Sequence, residues 1–336
     1  MKKNVKKIMK IIRCIKPWGY VLLCPLCLYL FFWLFPKLLP WLISFVYPSI
    51  DLSQEENSLL KNLGAWGDSY GIYNALFSAL AFIVVAYTLY LQQRNERKTT
   101  IANRFYAMLD HKEKLIEDMS VYPIFIGKRN VPKVAITGRS VFVEYKIQLK
   151  YLVRVVTEVS KQQNLDLTDP DIADIAYAVF YYGVTQKEFM KEYLRDYDKV
   201  EILVDGIVAT LETAKYKKYA LHRPNQNYLS VYFRNVYNMV KMIDSSALLS
   251  DVEKREYIKV LRAQFSNAEL YVLFFNLISR FGKKWLDNKY ISKYELIQNL
   301  PIGYCDGYNP KEYFEGIHFE SEESTLSTFH EVVRTR

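Results

Sequence analysis

Residues 17–36, PWGYVLLCPLCLYLFFWLFP, carry no charged side chain, and a second stretch at 70–91, YGIYNALFSALAFIVVAYTLYL, carries none either. An α-helix rises about 1.5 Å per residue, so roughly 20 residues cross a hydrocarbon core about 30 Å thick. Each stretch is long enough, and two of them predict a membrane protein. Lys37 interrupts the first, after which LLPWLISFVYPSI runs uncharged to Ile50. Two geometries satisfy that pattern. A helix ends near Pro36, with Lys37 snorkelling outward and residues 38–47 in the interface, or one tilted, proline-bent helix runs to about Val46. A cleaved signal peptide is the competing reading, but the stretch is too long for one and no small-x-small cleavage site follows it.

Charge sets the orientation. The formal net charge of +9 over 336 residues first suggests a nucleic-acid binder, and its position argues otherwise. Lys2, Lys3, Lys6, Lys7, Lys10, Arg13 and Lys16 stand without an acidic residue in the first 16 positions and account for 7 of the 9 charges. Between the apolar stretches, Asp51, Glu55, Glu56 and Asp68 oppose Lys61, a net of −3, and Arg94, Arg97 and Lys98 follow the second. Basic outer flanks and an acidic connection place both termini in the cytoplasm, with a short loop outside. The basic tail then lies where anionic headgroups attract it, and no direct nucleic-acid binding is predicted.

The rest of the chain is large enough for a core and reads as helix, with few Gly or Pro and a recurring helical period. The predicted class is all-α: two N-terminal transmembrane helices followed by a helical-bundle cytoplasmic domain. The divisions are a basic cytoplasmic tail (1–16), a first transmembrane segment with interfacial extension (17–47), an external loop (48–69), a second transmembrane helix (70–92), a helical stalk (93–122), a helical cytoplasmic domain (123–305) and an acidic, mobile tail (306–336). Pro123, Gly127, Pro132 and Gly138 mark a loop, and a helix is predicted from Ser140 to about Gln163. Another starts at Asp169 as N-cap with Pro170 next. In 228–243, Leu229, Phe233, Val236, Val240 and Ile243 make an apolar stripe. Asp251 is read as the cap of a helix running through IKVLRAQFSNAELYVLFFNLISRFG. Its portion from Ala268 to Ile278 is apolar almost all round and too short to span a bilayer, so it reads as the buried centre of the bundle.

Glu269 on that central helix needs a partner, because a buried unpaired carboxylate is expensive. Arg262, Glu269 and Asn276 recur every seven residues and share a face. Arg234 on the preceding helix is the other candidate partner, and Asn235 and Gln264 join the same polar set. The set reads either as a ladder fixing helix register or as a switch for a phosphate-bearing or acidic trigger.

No catalytic motif stands out. The chain has no Walker A loop, no G-x-G-x-x-G, no G-x-S-x-G and no H-E-x-x-H, and its four His (111, 222, 318 and 330) are scattered. No metal site or cofactor is predicted. C-P-L-C at 24–27 lies inside an apolar run without a second pair and reads as packing, while Cys14 is placed for acylation beside a bilayer. D-L-T-D-P-D at 166–171 lacks the Gly and terminal Glu of an EF-hand.

Three blocks carry a resemblance. WGDSYGIYNALFSALAF (66–82) followed by YTLYLQ, the block YFRNVYNMVK (232–241), and LRAQFSNAELYVLFFN (261–276) together resemble phage abortive infection proteins of the AbiC-like type. RFYAMLDH, with Phe105, Leu109 and His111, matches a weaker pattern of that family. The chain departs from the family's pattern at Asn238, where members often carry His, and at Phe265, where they often carry Leu. The resemblance implies antiviral defence that stops phage by stopping the infected cell, in a multi-pass protein of the bacterial inner membrane.

The residues add a physical route. Gly71, Ala75 and Ala79 form a small-xxx-small stripe, with Asn74 and Ser78 beside it and Asp68 at the outer mouth. Small residues let helices approach in lipid, and Asn and Ser bond across the interface. Under one reading the spans self-associate on a trigger and the membrane leaks, a toxin effector acting as a homo-oligomer. Under the other, the stripe packs one span on the other within a monomer. Two alternatives remain. Arg104 and His111, two turns apart on the stalk, have the spacing of the acid–base pair in HEPN-type ribonucleases. A non-toxic adaptor would hold a partner protein encoded nearby, or a phage-derived trigger, at the bilayer through tyrosines such as Tyr216, Tyr219, Tyr228, Tyr232 and Tyr237.

Overall fold

The computed structural model describes Lys37, residues 58–125 and residues 134–320. The first apolar stretch and the basic tail lie outside the described residues, as does the chain from 321 on. The chain divides into two units, 1–92 and 93–336.

Helix α1 runs Ser58–Glu117. It begins inside the segment expected to be loop (48–69), because no proline occurs between Pro48 and Pro123 to break it. Among the described residues one helix is long and apolar enough to cross a membrane, and it is this one, with none of its apolar window buried. Leu76, Phe82, Ile83, Val84, Val85, Leu89 and Tyr90 are all exposed. The helix stops at Glu117, short of the predicted end of the stalk at 122. Ser120–Val121 (β1) instead pairs antiparallel with Ile136–Thr137 (β2), a small departure from an all-α chain.

The second unit is a bundle around α2 (Val141–Gln162), which packs on α3 (Asp169–Tyr182), α5 (Val200–Leu211) and α8 (Asn267–Ile278). Between α3 and α5 lies the short α4 (Lys187–Tyr193). Gly206 brings α5 against α2, since a Cβ there would meet Val159 Cγ1 at 2.8 Å. Helix α6 (Gln226–Asp244) buries Leu229, Phe233, Val236, Val240 and Ile243, the stripe predicted for it. In α8 every residue from Ala268 to Leu277 is buried, as expected of a helix apolar almost all round.

Capping chemistry corrects three expectations. The helix predicted to run unbroken from Asp251 is two: α7 (Asp251–Arg262) and α8, separated at residues 263–266. Ser250 and Ser266 cap them, each reciprocating with the glutamate three residues on, Glu253 and Glu269. This is the capping box, in which two orphan N–H groups find acceptors. The cap of α3 is likewise Thr168 with Asp171, not Asp169, and Pro170 sits in the first turn. Beyond α8 come α9 (Lys283–Asp287), α10 (Tyr290–Tyr294) and α11 (Pro310–Tyr313). The expected mobile tail is packed as far as it is described: Phe314, Ile317 and Phe319 are buried in the core.

Candidate functional site

Along the second-unit part of α1, Phe105, Leu109 and Ile116 are buried, and between the last two on the same stripe stands Lys112, fully buried. A cation on an apolar stripe needs anions. Lys112 Nζ lies 3.0 Å from Glu113 Oε1 and 3.4 Å from Glu269 Oε1. Arg139, in the single turn of 3₁₀ helix between β2 and α2, completes the set. Its Nη2 donates to Glu113 Oε2 at 2.6 Å and its Nη1 to Glu269 Oε2 at 3.0 Å. The two cations and two carboxylates sum to zero.

Neutral groups fill the remaining valences. Tyr232 OH, from α6, donates to Glu269 Oε1 at 2.8 Å, and the Ser266 N–H donates to Oε2 at 2.8 Å. The Gln264 carbonyl, left without a helical partner where α7 breaks from α8, accepts from Arg139 Nη1 at 2.8 Å. Lys112 Nζ also stands 5.2 Å from the Phe265 ring centre. Asn235 Nδ2 donates to the Met108 carbonyl of α1 at 3.0 Å, a second tie between α6 and the long helix. The network thus joins α1, the 3₁₀ turn, α6 and the α7–α8 break.

Its electrostatics follow from that geometry. Partial burial pushes the Glu113 carboxyl up, but hydrogen bonds from Lys112 and Arg139 outweigh it, so its pKa lies below the ordinary glutamate value. Burial works against the Arg139 guanidinium, and Glu269 and Glu113 more than restore it. Burial beside Glu269 holds the Tyr232 hydroxyl protonated, far above the usual tyrosine range. Lys112 and Glu269 have no exposed side-chain surface, whereas Arg139 is 40% exposed. The arrangement can hold a joint closed, and its one solvent-facing cation can meet an outside anion.

The partners anticipated for Glu269 are therefore replaced. The break at 263–266 takes Arg262 off the helix of Glu269, and Arg262 Nη1 donates to the Glu295 carbonyl at 3.3 Å. Arg234 is exposed. Asn276 is buried and donates to Tyr177 OH at 2.8 Å, apart from the charge network. Gln264 takes part through its backbone. Gly71, Asn74, Ala75, Ser78 and Ala79 are exposed on α1, and a Cβ at Gly71 would meet nothing within 4 Å. The side chain of Asp68 lies outside the described residues. Arg104 and His111 are both exposed, with no hydrogen-bond or ion-pair partner among the described residues.

Sequence reasoning missed Lys112, Glu113, Arg139 and the role of Tyr232. The signal for Lys112 was its place on the apolar stripe. It also missed a second buried carboxylate, Asp174, which accepts from the Arg280 N–H at 2.7 Å, Arg280 Nε at 2.8 Å and Tyr197 OH at 2.8 Å. Among the described residues no three His, Cys, Asp or Glu come together as a metal site.

No curated protein and no solved structure matches the chain. Residues 224–305, which hold Tyr232, Asn235, Gln264, Ser266 and Glu269, match the family described as "Putative phage abortive infection protein". Over that region the chain is similar to the abortive infection family that YFRNVYNMVK and LRAQFSNAELYVLFFN resemble.

Proposed function

We propose that the chain is a membrane-bound antiphage effector of the bacterial inner membrane that acts by abortive infection. Its helical domain senses infection and controls the apolar segments. One observation carries this reading. The region similar to abortive infection proteins supplies Glu269 and Tyr232, and these grip Lys112 on the same helix that carries the uncharged residues 70–91. A rearrangement of the joint therefore acts directly on that helix. The exposed stripe Gly71, Ala75 and Ala79 supplies the surface on which helices associate once released, and leakage of ions halts growth.

The test is membrane potential and survival followed during phage infection, with expression under tight control. Depolarisation should accompany protection. Protection that persists without depolarisation overturns the leakage reading, and a Gly71→Leu/Ala75→Leu variant that protects normally removes the role of the stripe. His111→Ala should protect like the parent. Loss of protection, together with loss of RNA breakdown in infected cells, would transfer the activity to the Arg104–His111 pair.

A further inference from the structure

A cleft of about 710 Å³ opens elsewhere in the second unit, between one face of α2, the segment 215–219 and the stretch 306–313. Its volume is that of a small-molecule site. The two tyrosines on its wall are stacked: Tyr151 and Tyr219 have ring centres 4.3 Å apart at 29°, and their hydroxyls are bonded at 3.0 Å. Cations flank the stack. The Arg154 guanidinium is 5.6 Å from the Tyr151 centre and the Lys218 ammonium 5.4 Å from that of Tyr219.

Charges of both signs line the cleft. Glu158, on the α2 side, is already satisfied by Lys215 at 2.7 Å and by Tyr216 OH at 2.8 Å. Asp306 is held by Lys150. Arg154, Lys161 and Lys218 have no carboxylate partner among the described residues, and all three are exposed. Asp169, at the start of α3, and Glu312, in the stretch 306–313, also line the cleft and have no cation partner among the described residues. A ligand complementary to this surface has a planar ring for the tyrosines, a multiply charged anion for the three cations and an N–H donor for the two carboxylates.

We propose that the cleft binds a nucleoside phosphate whose base carries an exocyclic amine. The base lies against the Tyr151–Tyr219 stack, as bases do on aromatic platforms. The phosphates take Arg154, Lys161 and Lys218 in charge-assisted hydrogen bonds. The amine donates towards Asp169. Because α2 begins next to Arg139, an occupied cleft loads the same helix that abuts the charge network.

The experiment is calorimetric titration of the full chain in lipid nanodiscs with ATP, CTP, GTP, UTP, adenosine and inorganic triphosphate. ATP, CTP or GTP should bind saturably, and UTP, which lacks the amine, and adenosine, which lacks the phosphates, more weakly. Arg154→Ala and Lys218→Ala should each weaken the nucleotide by about tenfold or more, the usual loss for a bond to a charged group. Tyr151→Ala should weaken the nucleotide and leave triphosphate unchanged, with wild-type melting as the folding control. The proposal fails if none of the three binds at millimolar concentration, or if binding ignores both cation variants. It fails equally if triphosphate binds as tightly as ATP, which makes the cleft a plain anion site, or if a short peptide of mixed charge displaces ATP.

Discussion

Glu269→Gln tests the charge network most sharply. The substitution keeps the shape of the side chain and changes the sum over Lys112, Arg139, Glu113 and Glu269 from zero to +1. It also sets an amide N–H₂ where four donors converge: Lys112 and Tyr232 on one oxygen, Arg139 and the Ser266 N–H on the other. Removing one partner of a buried ion pair costs about 3–5 kcal/mol. Glu113 stays 3.0 Å from Lys112, and the part-exposed Arg139 reaches water, so the lower end applies, ~3 kcal/mol. For a domain of this size a kilocalorie moves Tm by roughly 2–4 °C, giving a fall of about 6–12 °C. The assay is thermal unfolding of the full chain in detergent, followed by far-ultraviolet circular dichroism. Adding Lys112→Met removes the stranded cation and restores neutrality, so the double variant should recover about 1–2 kcal/mol over Glu269→Gln alone. A single variant melting within about 2 °C of wild type, or a double variant no more stable than the single, would refute the reasoning.

Other consequences are simpler to check. The Glu113 pKa is lowered in the folded chain, so its contribution is present above the unfolded value of 4.5 and is lost as pH falls through the folded one. The stability gap between wild type and Glu113→Gln should hold from neutral pH down to about 4.5 and narrow in stronger acid, which melting curves across pH will register. Cys305 is fully buried and its thiol is pushed up to about 12 by burial, so with Cys14, Cys24 and Cys27 replaced by Ser a thiol reagent at mildly basic pH should label the chain only on unfolding. A Cβ at Gly282 would lie 2.1 Å from the Leu277 carbonyl oxygen at the end of α8. Gly282→Ala should therefore lose at least the ~1–3 kcal/mol typical of overpacking, seen as a lower melting temperature.

How much of this was legible in the sequence depends on the range of the interaction. The helix span of α2, the stripe of α6 and the all-round apolarity of α8 are local signals, and the structure repeats them. The break before α8 was also local. S-N-A-E at 266–269 has the same capping spacing as S-D-V-E at 250–253, but the apolar run on either side of it reads as continuous helix. Lys112 was missed although a cation between Leu109 and Ile116 on a helical apolar stripe is a local signal. Its partners were not legible, because Glu269 and Arg139 are brought to it only by the packing of four separate segments, and no spacing rule links residues so far apart. The small-residue stripe was legible as a pattern alone, since the first apolar stretch lies outside the described residues.

The network also fixes what a trigger has to supply if it works through this joint. Opening that leaves Lys112 or Glu269 buried and alone costs about 3–5 kcal/mol. A ligand can shift the balance only by its differential affinity, so it must favour the open form by roughly two hundred- to five-thousandfold. Lys112, with no exposed surface, is out of reach, and Arg139 is the accessible cation of the network. An anion that takes Arg139 away from Glu269 and Glu113 pulls the joint apart from outside, and Arg139→Gln imitates that loss without any trigger. Under the proposed function this variant should slow growth and depolarise uninfected cells on induction, at a protein level equal to wild type. Normal growth of uninfected cells together with intact phage protection would mean that the network only stabilises the fold, and that the trigger is read somewhere other than this joint.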